Sequence, residues 1–161
     1  MFVHSKRKCL NGTDVIKFVD DQAGKKIALA VNKSERFLSG IETPSQFKSS
    51  RDFVLKEFTQ LLRTMGIIKP KDIFARYGGE EFCLLMPATS VQEAAGIAET
   101  IRGKVHMHDF MYEGKRIPVT TSLGVSEMKG DLDSALGLIK AADKALYESK
   151  TSGRNKVTVA P

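Results

Sequence analysis

The stretch Ile73–Pro87 reads IFARYGGEEFCLLMP, apolar residues running into a charged, glycine-containing centre and out again. That pattern belongs to two strands joined by a tight turn. Gly78 and Gly79 supply backbone freedom at the turn and leave room for a ligand to approach the main chain. Glu80 and Glu81 follow at once, so two carboxylates stand at the tip of a rigid hairpin. Neighbouring side chains on a strand point to opposite faces, which predicts separate roles for the two acids. A bare GGEE also fits an exposed hairpin with solvated acids. The whole run RYGGEEF between apolar strands favours a site.

Around this hairpin the chain reads as one globular domain over residues 1–161. With 161 residues, 42% of them hydrophobic, there is enough material for a real core. No apolar run approaches the roughly 18 residues of a membrane span, and the N-terminus lacks a signal-peptide core. A soluble segment without membrane contact is expected. Cys9 and Cys83 lie far apart without metal-ligand spacing. Cys83 sits in an apolar strand and reads as a buried free thiol, which fits a reducing, cytoplasmic setting. The formal charge of +6 and pI near 9.3 suit anionic partners such as nucleotide phosphates. Trp is absent and no aromatic-rich basic stripe occurs, which argues against nucleic acid.

In residues 1–24, SKRKC is a basic cluster and VIKFVDD fits the end of a helix leading to Gly24. Lys26–Val31 (KIALAV) reads as a buried central strand. Val54, Phe58, Leu61, Leu62 and Met65 form the core-facing stripe of a helix, with Ser50 as N-cap and Gly66 as C′ residue. Beyond the hairpin, Pro87 ends the strand and Ser90-x-x-Glu93 forms a capping box. The helix it opens runs to about Lys104 and buries Val91, Ala94, Ala95, Ala98, Ile101 and Val105. His106 and His108 lack a third ligand and read as solvated strand-entry residues. Phe110–Tyr112, a turn at Glu113-Gly114 and Ile117–Ser126 read as a second hairpin, in which Gly124 hints at close backbone approach. The last helix starts near Asp131–Asp133 and ends about Thr151, with Gly153 as its C′ residue.

RYGGEEF resembles the signature of GGDEF-type diguanylate cyclases, in which GGEEF is the common variant. VTTSLGVS resembles that family's VTxSxGV strand, and ADKALYESKTSGRNKV its DxALYxAKxxGRNxV ending. The family opens with an LTGLxNR-like segment; residues 1–24 have none and form a divergent N-terminal segment. The resemblance implies a mixed α/β fold of the nucleotidyl-cyclase and polymerase-palm type. Its centre is a mostly antiparallel five-stranded sheet flanked by helices, in the order strand–helix–hairpin–helix–hairpin–helix–strand. It implies condensation of two GTP into cyclic di-GMP by a homodimer with Mg²⁺ or Mn²⁺, in bacterial second-messenger signalling, with an upstream sensory domain as partner.

Carried over by position, Glu80 is the metal-binding acid and Glu81 orients ribose or base across the dimer. Gly78 and Gly79 admit the nucleotide, and Asp52 reads the guanine. Lys150 and Arg154 hold the phosphates, although both also suit the negative end of a helix. Asp52 likewise suits a first helical turn. Three positions depart from the family. Asn32 stands where the metal aspartate belongs, with Glu35 as a candidate substitute. The guanine-contacting Asn has no clear equivalent, only Glu42 or Thr43 nearby. Lys69 replaces the arginine of the inhibitory Arg-x-x-Asp, leaving Lys69 and Asp72 as a remnant that reads as an exposed polar turn. These departures leave two functions in competition, a cyclase impaired at its metal site or a degenerate module acting through nucleotide binding or protein contacts, with altered nucleotide choice as a weaker third.

Overall fold

A computed structural model describes residues 27–36, 44–76, 80–128 and 134–161. The elements run β1 (Ile27–Arg36), α1 (Pro44–Thr64), β2 (Ile73–Arg76), β3 (Glu81–Pro87) and α2 (Val91–Met107). Then follow β4 (Phe110–Tyr112), β5 (Lys115–Ile117), β6 (Val119–Glu127), α3 (Ala135–Thr151) and β7 (Val157–Val159). Five strands form one sheet in the order β2-β3-β1-β6-β7. All its pairings are antiparallel except β6 with β7. This is the expected mixed α/β architecture. The readings of residues 1–24, Cys9, Glu42, Thr43, Gly78, Gly79 and Asp131–Asp133 lie outside the described residues.

Alternation along the strands divides the core in two. Ala28, Ala30, Phe82, Leu84, Met86, Leu123 and Val125 pack against α1 and α2 on one face. Leu29, Ala75, Cys83 and Leu85 pack against α3 on the other. Both faces of the middle strands are therefore covered, which is why β3 buries five consecutive residues, Phe82 to Met86. On α1, Val54, Phe58 and Leu62 from the expected stripe are fully buried, and Leu55 joins them. Phe58 meets Phe82 with ring centroids 5.0 Å apart. Gly124 lies under α3 so closely that a Cβ there would overlap the backbone O of Ala142 and N of Leu146.

Several boundaries differ from the sequence reading. β1 does not stop at Val31 but continues to Arg36, because β6 offers it a partner at every position from Glu127 to Val119. The first helix starts at Pro44, a residue pre-organised for a first helical position. Ser50 therefore lies inside it, buried, and is not its N-cap. Gly66 follows the helix at φ +64°, as a C′ glycine should. The second hairpin closes on itself instead of feeding the main sheet. Its turn has φ +49° at Glu113 and +75° at Gly114, and among the described residues β4 pairs only with β5. Pro118 then separates β5 from β6. The capping box at Ser90 and Glu93 is complete. α3 is capped by Ser134, whose hydroxyl accepts from the Gly137 N–H. Among the described residues no helix is long and apolar enough to cross a membrane.

Candidate active site

Strand direction brings the chemistry-bearing residues to one end of the sheet. β1 reaches that end at Arg36, β3 leaves it at Glu81, β6 leaves it at Val119, and α3 delivers Lys150 toward it before β7. One cross-strand row carries much of the arrangement: Glu81 lies opposite Lys33, and Lys33 lies opposite Ser122. Two interstrand spacings put the Glu81 and Ser122 backbones about 10 Å apart. Asn32 sits one row further in, between Phe82 and Leu123. Glu35 pairs with Thr120, beyond the last β1–β3 pair at Lys33–Glu81. Both lie within β1, beyond the Val31 end expected for that strand.

Glu81 shares a face with Cys83 and Leu85, the face covered by α3. There it lies within electrostatic reach of Asp143, a residue that no motif role in the sequence marks. Partial burial first, and the Glu81 carboxylate second, hold the Asp143 carboxyl above its ordinary value, with Lys150 opposing them. Glu81, Asp143 and Lys150 therefore share one electrostatic neighbourhood. Burial also pushes the Cys83 thiol up to about 12, although a backbone hydrogen bond from Ala75 works against it. Cys83 is the buried free thiol that was expected.

On the opposite face an open cleft of about 750 Å³ runs between α1 and the sheet-edge strand β2. Its floor holds Phe74 and Phe82, stacked at 5.3 Å and 4°. Its helical wall carries Asp52, Lys56, Gln60 and Arg63, and Arg76 stands on the strand side. Asp52 lies about two turns into α1, too far in for the helix-dipole role of a first-turn acid. Its Oδ1 accepts from Arg51 Nη2 at 3.2 Å. Lys56 and Gln60 were not singled out, although their spacing of four and eight from Asp52 marks a polar face opposite the apolar stripe.

After α3, the segment Ser152–Asn155 turns into β7. Gly153, Arg154 and Asn155 have φ of +115°, +59° and +47°. The Asn155 N–H donates to Ser122 Oγ at 3.1 Å, and Arg102 Nη1 on α2 donates to Asn155 Oδ1 at 3.2 Å. Sequence reasoning took Asn155 only as part of a motif.

Other singled-out residues stand apart. Asp72 precedes β2, roughly 13 Å along the strand from Arg76 and so at the far end of the sheet. The expectation of an exposed turn fails there. Asp72 is buried while Lys69 is exposed. The Lys69 N–H donates to Asp72 Oδ2 at 2.9 Å, and Oδ1 is buried without a hydrogen-bond partner among the described residues. His106 is exposed as expected, while His108 is half-buried; its Nε2 lies 3.2 Å from Glu57 Oε1 and its ring meets Phe110 edge-on. Among the described residues no group of three or more His, Cys, Asp or Glu is placed to hold a metal.

The family model described as diguanylate cyclase, GGDEF domain, matches residues 48–156. The chain belongs to that family. Diguanylate cyclase A of Treponema denticola is 46% identical over 108 residues, covering 67% of this chain and 29% of that protein. Response regulator PleD of Caulobacter vibrioides is 43% identical over 108 residues, covering 66% of this chain and 23% of that protein. The chain thus spans less than a third of the length of these curated relatives. Among solved structures, the GGDEF domain of DgcB from Caulobacter crescentus, in complex with c-di-GMP, superposes with a TM-score of 0.74. It is 26% identical, with 98% of this chain and 99% of that chain covered. The protein is thus a GGDEF domain similar to the diguanylate cyclases that make cyclic di-GMP. Cyclases of this family generally use a divalent metal ion.

Proposed function

We propose that this GGDEF domain binds GTP at the Glu81 end of its sheet and acts as a diguanylate cyclase slowed by Asn32. In the reaction, each 3′-hydroxyl attacks the α-phosphorus of the other GTP. Two P–O bonds form, two pyrophosphates leave and the hydroxyl protons pass to solvent. The working unit is a homodimer, because each subunit brings one nucleotide. Glu80 is the metal-binding acid and Glu81 orients ribose or base across the dimer. Gly78 and Gly79 admit the nucleotide, Asp52 reads the guanine from the cleft, and Lys150 and Arg154 hold the β- and γ-phosphates. The observation that carries this reading is the convergence of the Glu81 row, the α3 terminus and the Asp52 cleft at one end of a GGDEF sheet.

The donor chemistry fits Mg²⁺ or Mn²⁺, hard cations that take a few carboxylate oxygens from protein and the rest from phosphates. Glu80 supplies one carboxylate and Glu35 is the candidate for a second. Bound there, the ion neutralises triphosphate charge and lowers the pKa of the attacking hydroxyl. An amide at Asn32 brings no charge to that balance, hence the slowed chemistry. The setting is cytoplasmic, with a sensory domain upstream. A second reading keeps the nucleotide but not the turnover, as a regulatory module acting through binding or protein contacts. The amide at Asn32 is the observation that favours it.

GTP turnover with Mg²⁺ or Mn²⁺ at high protein concentration, with products separated by chromatography, tests the proposal. Cyclic di-GMP that disappears in Glu80→Ala supports the cyclase. GTP binding without product supports the regulatory module. A folded chain that binds no GTP overturns the cyclase and the nucleotide-binding module and leaves a role through protein contacts.

A further inference from the structure

Arg154 and Asn155 both hold a left-handed backbone, which side-chain-bearing residues rarely adopt. Two in succession, after Gly153, need to be held. The Arg154 N–H donates to Ser149 O at 3.0 Å, fixing the start of the turn to α3. The Leu123 N–H donates to Lys156 O at 2.8 Å, fixing its end to β6. Between them stands Asn155, gripped from two sides. Its N–H reaches Ser122 Oγ, and its Oδ1 receives Arg102 Nη1. Arg102 is itself held by Glu99, with Nε donating to Oε2 at 2.7 Å. Ser122 is fully buried and belongs to the row that runs through Lys33 to Glu81. The backbone next to Arg154 is thus tied to the strand row of Glu81 through one hydrogen bond and two strand spacings.

We propose that Asn155, clamped between Ser122 and Arg102, is a positioning residue that sets Arg154 for the polyphosphate end of a nucleotide. The inference rests on the reading above, in which Arg154 meets the phosphates. Guanidinium recognition of phosphate is planar and often bidentate, so it depends on angle as well as distance. A left-handed turn free to relax would swing Arg154 off that angle. Asn suits the position on three counts. It tolerates the left-handed region better than most residues, its amide oxygen accepts from Arg102, and it brings no negative charge beside an anion. Arg102 and Ser122 act through Asn155, from a helix on one face of the sheet and a strand side chain on the other.

The test compares GTP with GMP, which lacks the β- and γ-phosphates, by titration calorimetry with Mg²⁺ on the full chain. Asn155→Gly keeps the turn accessible but removes the acceptor for Arg102. Arg102→Met removes the donor and leaves Asn155 in place. Both variants should bind GTP at least about tenfold more weakly while GMP affinity stays unchanged. Thermal melts should show both variants folded. Unchanged GTP affinity in both variants overturns the inference, as does equal weakening for GTP and GMP, which would mark a merely structural role. Wild-type chain that binds GMP and GTP equally overturns it by removing the phosphate contact itself. Wild-type chain that binds neither overturns the function reading and this inference together.

Discussion

Strands β1 and β3 lie side by side in continuous register from Ile27–Pro87 to Lys33–Glu81, yet they carry information in different ways. β3 joins a buried run to the acidic signature, and both lie within the family match. β1 lies outside that match, although it is the central strand between β3 and β6. Ala28, Leu29 and Ala30 are enough to make it central, because a strand covered on both faces needs only small or branched apolar side chains there. Nothing in that packing dictates which polar residue follows at Asn32. The comparison shows where constraint lies. The middle of the shared sheet is fixed by burial, whereas that packing leaves the polar residues at its end open.

The largest effect is expected where that packing is tightest. Gly124→Ala should destabilise the fold by roughly 3 kcal/mol or more, because the intruding methyl meets helix backbone that cannot rotate away. Denaturant unfolding measures this. A loss under about 1 kcal/mol would show that α3 can lift, and that β6 is no more rigid than β1. Ser90→Ala should cost about 1 kcal/mol by removing the cap of α2. A larger loss would mean that the cap also supports β3 through Pro87. Cys83 sharpens the burial side of the comparison. In a Cys9→Ser background its thiol, held near 12, should resist a thiol reagent at neutral pH and react only on unfolding. Rapid native-state labelling would mean that the α3 face of β3 opens.

The smallest expected effect belongs to Asp143. Its carboxyl is raised above the ordinary 3.8 by burial and by Glu81, so the fold favours its protonated form. That contribution is complete below pH 3.8 and is lost as pH rises through the folded value. Asp143→Asn should therefore change stability little at acid pH and raise the urea midpoint at neutral pH. A midpoint lowered at neutral pH would show instead that the charge of Asp143 holds Lys150 in place.

Much of this was legible in the sequence because period and burial agree. The stripe Val54–Phe58–Leu62, the capping box at Ser90 and the close approach at Gly124 follow from spacing or from a single residue type. What escaped was decided by partners distant in the chain. β1 runs on to Arg36 because β6 pairs with it, and no local preference in NKSER announces that. Asp72 is buried in a turn whose polar composition reads as exposed. The clasp from Arg102 through Asn155 to Ser122 joins residues 53 and 33 apart, beyond the reach of any periodicity. The acids of the hairpin, Lys150 in the last turn of α3 and Arg154 after it stand out in the sequence through their motifs. The cleft wall was readable only as a polar stripe with no stated purpose.

The central claim is that chemistry at this sheet end is limited by the amide at Asn32. The direct measurement is cyclic di-GMP formation by Asn32→Asp beside wild type, at equal protein, GTP and Mg²⁺. Restoring a carboxylate should raise turnover at least about tenfold and lower the Mg²⁺ needed for half-maximal rate. Equal rates and equal Mg²⁺ dependence would contradict the claim and show that β1 contributes no metal ligand at that position.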